Sequence, residues 1–189
     1  MTRGFDGAVL CGGQSRRMGT DKALVEIGGQ TMAFRVADAL ERGGATTVAT
    51  VGGDAEALGA LGHPHVVDDH PGDGPLGAIV TALGRVGAEP AVAVLACDLV
   101  TPSASAVADL VDRLLSGNAD AVVARVDGRA QWAHAVWRRR VVGVLASVFE
   151  SGERSLFGAV HGLDVDFWDR ADAAPFRDAD VPGDLPLGP

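Results

Sequence analysis

The chain has 189 residues, 47% hydrophobic and 22% charged, enough for one domain with its own core over residues 1–189. Its 16 lysines and arginines face 25 aspartates and glutamates, a net charge of −9 with no basic face, which argues against a nucleic-acid partner. The longest apolar run, Ala91 to Cys97, is too short to span a membrane, no long apolar leader opens the sequence, and two cysteines are too few for a disulfide framework, so a cytoplasmic protein is expected.

Gly7 to Cys11 ("GAVLC") reads as a short strand. It runs into "GGQSRRMGTDKAL", where glycines crowd with Arg16, Arg17 and Lys22 in an otherwise acidic chain. "GQTMAFRVADALERGG" reads as a helix, with Met32, Val36 and Leu40 four apart and Gly43 at its end. Thr46 to Gly53 and His65 to Asp69 are strand-like, and "PLGAIVTALGRVG" is helical. Ala91 to Asp98 is a continuous apolar run, as expected of a strand buried on both faces. The next helix starts with Thr101 as N-cap and Pro102 at its first position, and carries the stripe Val107, Leu110, Val111, Leu114 and Leu115. Asp120 to Val126 is another strand. Arg138 to Arg140 reads as the solvated start of a helix through "VVGVLASVF", and Leu163 to Trp168 as a last strand. The tail "VPGDLPLGP" is expected to be irregular. This βαβα alternation predicts an α/β fold with a mainly parallel sheet and helices on both faces.

Ligands in such sheets bind beyond the carboxyl ends of the strands. Four of those ends carry unusual residues: Gly12-Gly13, Gly52-Gly53-Asp54, Asp68-Asp69 with "GPLG" downstream, and Cys97-Asp98. Glycines after a first strand let backbone N–H groups approach an anion, and Arg16, Arg17 and Lys22 add charge for phosphate oxygens. The spacing is neither that of a Walker loop nor of G-x-G-x-x-G. Asp98 ends an apolar strand and needs a partner: a lysine, a helix cap, or a magnesium ion shared with phosphates. Asp178 to Asp184 ("DADVPGD") is a second carboxylate cluster that also reads as a polar turn. Cys11 and Cys97 should be neighbours on adjacent strands, both as free thiols.

"LCGGQSRRMGTDKAL" closely resembles the L-A-G-G-x-S-x-R-M-G-x-D-K signature of the molybdenum cofactor guanylyltransferases, a MobA-like branch of the NTP transferases. The likeness continues through "GPLG" (Gly74 to Gly77), "CDL" (Cys97 to Leu99), "SGER" (Ser151 to Arg154) and "DADVPGDL" (Asp178 to Leu185). It implies a Rossmann-like three-layer sandwich of the nucleotide-diphospho-sugar transferase kind. It also implies transfer of GMP from GTP to molybdopterin or molybdenum cofactor, with magnesium and release of pyrophosphate. By position, Leu10, Cys11, Gly12 and Gly13 would line the nucleotide, and Arg17 and Lys22 would hold its triphosphate. Asp69 would lie near the nucleoside, and Gly74, Pro75 and Leu76 would pack around base and sugar. Asp98 would bind magnesium with Asp180 as second ligand, while Asp178 and Arg154 would face the acceptor. A monomer or small homo-oligomer is expected.

The chain departs from the branch in three places. Cys11 replaces the usual alanine. Gln131-Trp132 stands where a His-Pro pair is common, with His134 slightly later. Asp178-Ala179-Asp180-Val181-Pro182 replaces Asn-x-Asn-Thr-Pro. The last two lie on the acceptor side, leaving a transferase using CTP or another phosphorylated acceptor as the alternative.

Overall fold

The computed structural model describes residues 4–12, 21–170 and 174–179. Strand β1 (Phe5–Leu10) leads to a short hairpin, β2 (Glu26–Ile27) and β3 (Gln30–Thr31), and then to α1 (Met32–Arg42). There follow β4 (Val48–Val51), α2 (Ala55–Gly59), β5 (His65–Val66), α3 (Pro75–Arg85), β6 (Ala91–Ala96), α4 (Ala104–Ser116), β7 (Ala121–Val126) and β8 (Arg129–Arg138). The chain continues through α5 (Val142–Glu150), α6 (Leu156–Ala159) and β9 (Val165–Arg170).

Seven strands form one sheet in the order β5-β4-β1-β6-β8-β7-β9. Every pairing is parallel except the two made by β8, which runs antiparallel to β6 and to β7. The period-two alternation of strand side chains divides the core in two. Val9, Leu95 and Val122 face α1 and α4 through Val36, Leu40, Leu110 and Leu114. Ala8, Leu10, Val92, Val94 and Trp137 face α3 and α5 through Ile79, Leu83, Leu145 and Phe149. This is the expected three-layer sandwich. Each fully buried leucine or valine contributes about 1.5–3 kcal/mol.

Three details differ from the sequence reading. Strand β8 was not expected. It is reached through a tight turn at Asp127-Gly128, whose φ angles of 49° and 75° are those of a two-residue hairpin loop. Helix α4 starts at Ala104 with Ser103 as N-cap, because the Thr101 hydroxyl is taken by the carbonyl of Ala174. Arg138 and Arg139 are not solvated. Arg138 donates to the carbonyls of Leu114, Gly117 and Ala119, and so satisfies oxygens left open at the end of α4. Arg139 does the same for Leu83, Val86 and Glu89 and pairs with buried Asp6 at 2.8 Å.

Candidate active site

A cleft of about 980 Å³ opens beyond the carboxyl ends of β1, β4 and β6. Its floor is Leu10, Cys11 and Gly12 after β1, Gly52 and Gly53 after β4, and Ala96, Cys97 and Asp98 after β6. The two strand ends approach closely at Gly52 and Gly53, both at positive φ (70° and 78°). A Cβ on Gly53 would stand 3.0 Å from the Cys11 carbonyl oxygen, so only glycine fits without displacement.

One wall is the start of α3. Gly74 is its N-cap, with no side-chain cap, and Pro75 is its first residue, so backbone N–H groups at the positive end of an 11-residue helix meet the cleft. Asp68 lines this wall, its Oδ1 accepting from the His70 N–H at 3.0 Å and lying 3.0 Å from the Thr81 hydroxyl. Asp69, the residue singled out from sequence, is not among the lining residues; it pairs with Arg85 at 2.5 Å. Leu76 is fully buried beneath the wall, in the core with Ile79 and Leu83.

Lys22 enters from the opposite side. Asp21 caps the short helical turn Lys22–Leu24 by accepting from the Ala23 N–H at 3.0 Å, and Ala23 is fully buried, which fixes where Lys22 starts. The Lys22 ammonium lies 3.3 Å from Asp98 Oδ2, across 76 residues of sequence. Of the partners considered for Asp98, a lysine is therefore present.

Two further groups reach Asp98. The segment after β9 folds back and pairs antiparallel with the chain past β6. Val100 N–H donates to the Arg177 backbone carbonyl at 2.9 Å and Ala179 N–H to the Asp98 backbone carbonyl at 2.9 Å. Ala179 is fully buried against Met32 and Val100, which anchors the segment. Asp178 is thereby set beside the site. His134 on β8 sits opposite Leu95 of β6, and the side chain is 2% exposed. Its Nε2 is 3.5 Å from Asp178 Oδ1, and among the described residues neither ring nitrogen has a hydrogen bond. Burial lowers its pKa to about 4, so the ring is neutral near pH 7. One donor atom each from Asp98, His134 and Asp178 lies within 4.8 Å of the others. Two ligands about 2.1 Å from an ion can stand up to about 4.2 Å apart, so these three close on a divalent cation with small side-chain shifts.

Cys11 and Cys97 are neighbours and both free. Cys97 N–H donates to Leu10 at 3.0 Å, continuing the β1–β6 register. The contact with the Cys11 thiol, together with burial, pushes the Cys97 thiol well above its ordinary pKa. Arg154 is not at the cleft: its guanidinium donates to the Phe149 carbonyl at 2.7 Å and lies 3.9 Å over the Phe149 ring. Gly13, Arg17 and Asp180 fall outside the described residues. The site residue that sequence reading passed over is His134, and the missed signal was the Asp127-Gly128 turn that creates its strand.

Residues 7–164 match the family model of the MobA-like NTP transferase domain. The chain belongs to this family. It is 34% identical over 160 residues to the molybdenum cofactor guanylyltransferase of Cereibacter sphaeroides, covering 82% of this chain and 81% of that protein. Among solved structures it is similar to the molybdopterin-guanine dinucleotide biosynthesis protein A of Archaeoglobus fulgidus (TM-score 0.78, 22% identity, 95% of this chain and 94% of that one). It shares its fold with a CMP:2-keto-3-deoxy-manno-octonic acid synthetase solved with CTP (TM-score 0.73, 15% identity, 95% and 94% covered). The MobA-like assignment places this chain among the NTP transferases. The fold alone does not select the base, since the synthetase solved with CTP has it too.

Proposed function

We propose that this chain transfers GMP from GTP to molybdopterin or molybdenum cofactor and releases pyrophosphate, with magnesium as cofactor. The observation that carries the reading is the meeting of Lys22 and Asp98 at 3.3 Å on the floor of the cleft, where the signature loop and the end of β6 converge. The 34% identity to a guanylyltransferase over most of both chains supports the choice of base and acceptor.

In this reading the nucleotide lies along the β1 and β4 ends, against Leu10, Cys11, Gly12 and Gly13. Gly74, Pro75 and Asp68 flank the nucleoside. Lys22 and Arg17 hold the β and γ phosphates, and the Lys22 ammonium exchanges Asp98 for phosphate oxygens as GTP enters. Asp98, with Asp180, would hold the magnesium ion. When bound, the ion supplies charge neutralisation at the transferring phosphoryl group. A terminal phosphate oxygen of the acceptor attacks the α-phosphorus in line; that P–O bond forms as the bond to the β-phosphate oxygen breaks. Lys22 and Arg17 neutralise the departing pyrophosphate. The acceptor phosphate is already a competent nucleophile, so positioning supplies most of the catalysis. Arg154, turned onto Phe149, takes no part in this reading.

The test is pyrophosphate release from each of the four NTPs with magnesium, with and without molybdopterin or molybdenum cofactor, alongside calorimetric titration of each NTP. Release that needs both GTP and the acceptor is expected. Tighter binding of CTP than GTP, or release with CTP alone, overturns the guanylyl assignment in favour of a cytidylyl enzyme.

A further inference from the structure

The aspartates at the site are held by different means from the histidine beside them. Asp98 has Lys22, whereas His134 is 2% exposed with both ring nitrogens lacking a hydrogen bond. A buried polar group without a partner is destabilising, and a ring nitrogen of this one lies within 4.8 Å of oxygens of two carboxylates. It is also fixed from three directions: β8 is locked between β6 and β7, Phe176 lies 6.1 Å from the ring, and the bridge between Leu99 and Asp178 holds the late segment over it.

We propose that Asp98, His134 and Asp178 together form a divalent-cation site that binds metal in the free protein, before nucleotide, and prefers manganese over magnesium. The inference deepens the cation site of the guanylyltransferase reading and reassigns Asp178 from the acceptor to the metal. Its basis is the donor set. Magnesium is a hard ion that takes oxygen ligands and keeps several waters, so it usually relies on one or two carboxylates and substrate phosphates. Manganese and later transition ions accept an imidazole nitrogen more readily than magnesium does, and a buried ring with no hydrogen bond at either nitrogen among the described residues offers a donor atom. Three protein ligands from β6, β8 and the late segment would already be in place without phosphate oxygens. A site of Asp98 alone would need the nucleotide to complete it.

The experiment uses the full chain without nucleotide. Manganese is titrated in and the free ion followed by its electron paramagnetic resonance signal; magnesium is then added as competitor. One bound manganese is expected, displaced only by roughly tenfold or greater excess of magnesium. Pulsed resonance on the manganese-loaded wild type should show coupling to a nitrogen-14 nucleus, a readout that needs no variant. His134→Gln should lose that coupling and weaken manganese binding about 10–100-fold, with a smaller change for magnesium. Its circular dichroism and thermal melt are compared with wild type. Bound manganese with no nitrogen coupling, or no manganese binding without GTP, overturns the proposal. Neither result touches GTP-dependent pyrophosphate release with magnesium, so the two readings fail separately.

Discussion

Two aspartates on neighbouring strands show how one sheet treats the same side chain in opposite ways. Asp6 sits near the start of β1 and is fully buried. Arg139 pairs with it at 2.8 Å and the Glu89 N–H donates to it at 2.8 Å. The Arg139 guanidinium gives three further donors to backbone carbonyls. A Cβ on Gly87, whose φ is 58°, would overlap the Asp6 carboxylate, so nothing larger fits. Asp98 follows β6 at the opposite edge, where its carboxylate is 22% exposed and faces a cleft. Its salt bridge to Lys22 uses a flexible ammonium, which can be exchanged for phosphate. The amino edge of the sheet is closed with charge and the carboxyl edge is left open with it. The first arrangement serves stability; the second is the one assigned to binding in the proposed function.

Breaking the closed edge should have the largest energetic effect. Asp6→Ala leaves the Arg139 guanidinium partly buried without its carboxylate, and should cost about 3–5 kcal/mol of stability. Chemical denaturation measures the loss, while affinity for NTP in the fraction still folded should be unchanged. A loss below about 1 kcal/mol would mean the backbone carbonyls alone satisfy Arg139, and the contrast between edges would fail.

Opening the other edge should do the reverse. Asp98→Asn should reduce pyrophosphate release about 100-fold or more, the scale for removing one preorganised charge-stabilising group. Its melting temperature should stay within a few degrees of wild type, since Asp98 is not part of the closed core. A variant that unfolds but keeps its turnover would place Asp98 with Asp6 as a structural residue.

Lys22→Ala sharpens the point by separating phosphate from base. A charge-assisted hydrogen bond is worth about 1.5–3 kcal/mol, so binding of GTP should weaken roughly 10- to 100-fold. Guanosine should bind as before, by calorimetry. Equal losses for both ligands would leave Lys22 as a structural partner of Asp98 only.

The same contrast explains what the sequence could disclose. The open edge was legible because its residues break local rules: glycines and cations follow a strand, and a carboxylate ends an apolar run at Asp98. The parallel strands β1, β4 and β6 and the helices α1 and α3 follow from apolar periodicity. The closed edge was not legible. Asp6 and Arg139 are 133 residues apart, and an arginine triplet reads as a solvated run unless tertiary structure supplies carbonyls to it. His134 was hidden in the same way. Its strand is antiparallel within a parallel sheet, so the βαβ rhythm does not announce it, and only the Asp127-Gly128 turn marks it. Asp69 follows by position from the family resemblance, and nothing local in the sequence separates it from Asp68; only the folded chain turns Asp68 to the cleft and Asp69 to Arg85.

The smallest effect is expected where charge serves neither edge. Arg113 on α4 and Asp166 on β9 form a two-pronged pair at 2.6 Å and 2.9 Å, with both side chains over a third exposed. Hydrogen bonding from Arg113 holds the Asp166 carboxyl below its usual pKa. A group depressed in this way adds stability above its unfolded pKa, near 4, and loses it as pH falls through the lower folded value. Water screens the pair, however, so short distances do not mean large energies. A double-mutant cycle with Arg113→Gln and Asp166→Asn should therefore give a coupling of at most about 1 kcal/mol at pH 7. That coupling should fade on acidification below the folded pKa, and none of the three variants should alter GTP binding. A coupling approaching that of Asp6 and Arg139 would show that two-pronged geometry outweighs burial in this sheet. The distinction between the closed and open edges would then rest on arginine geometry and not on solvent access.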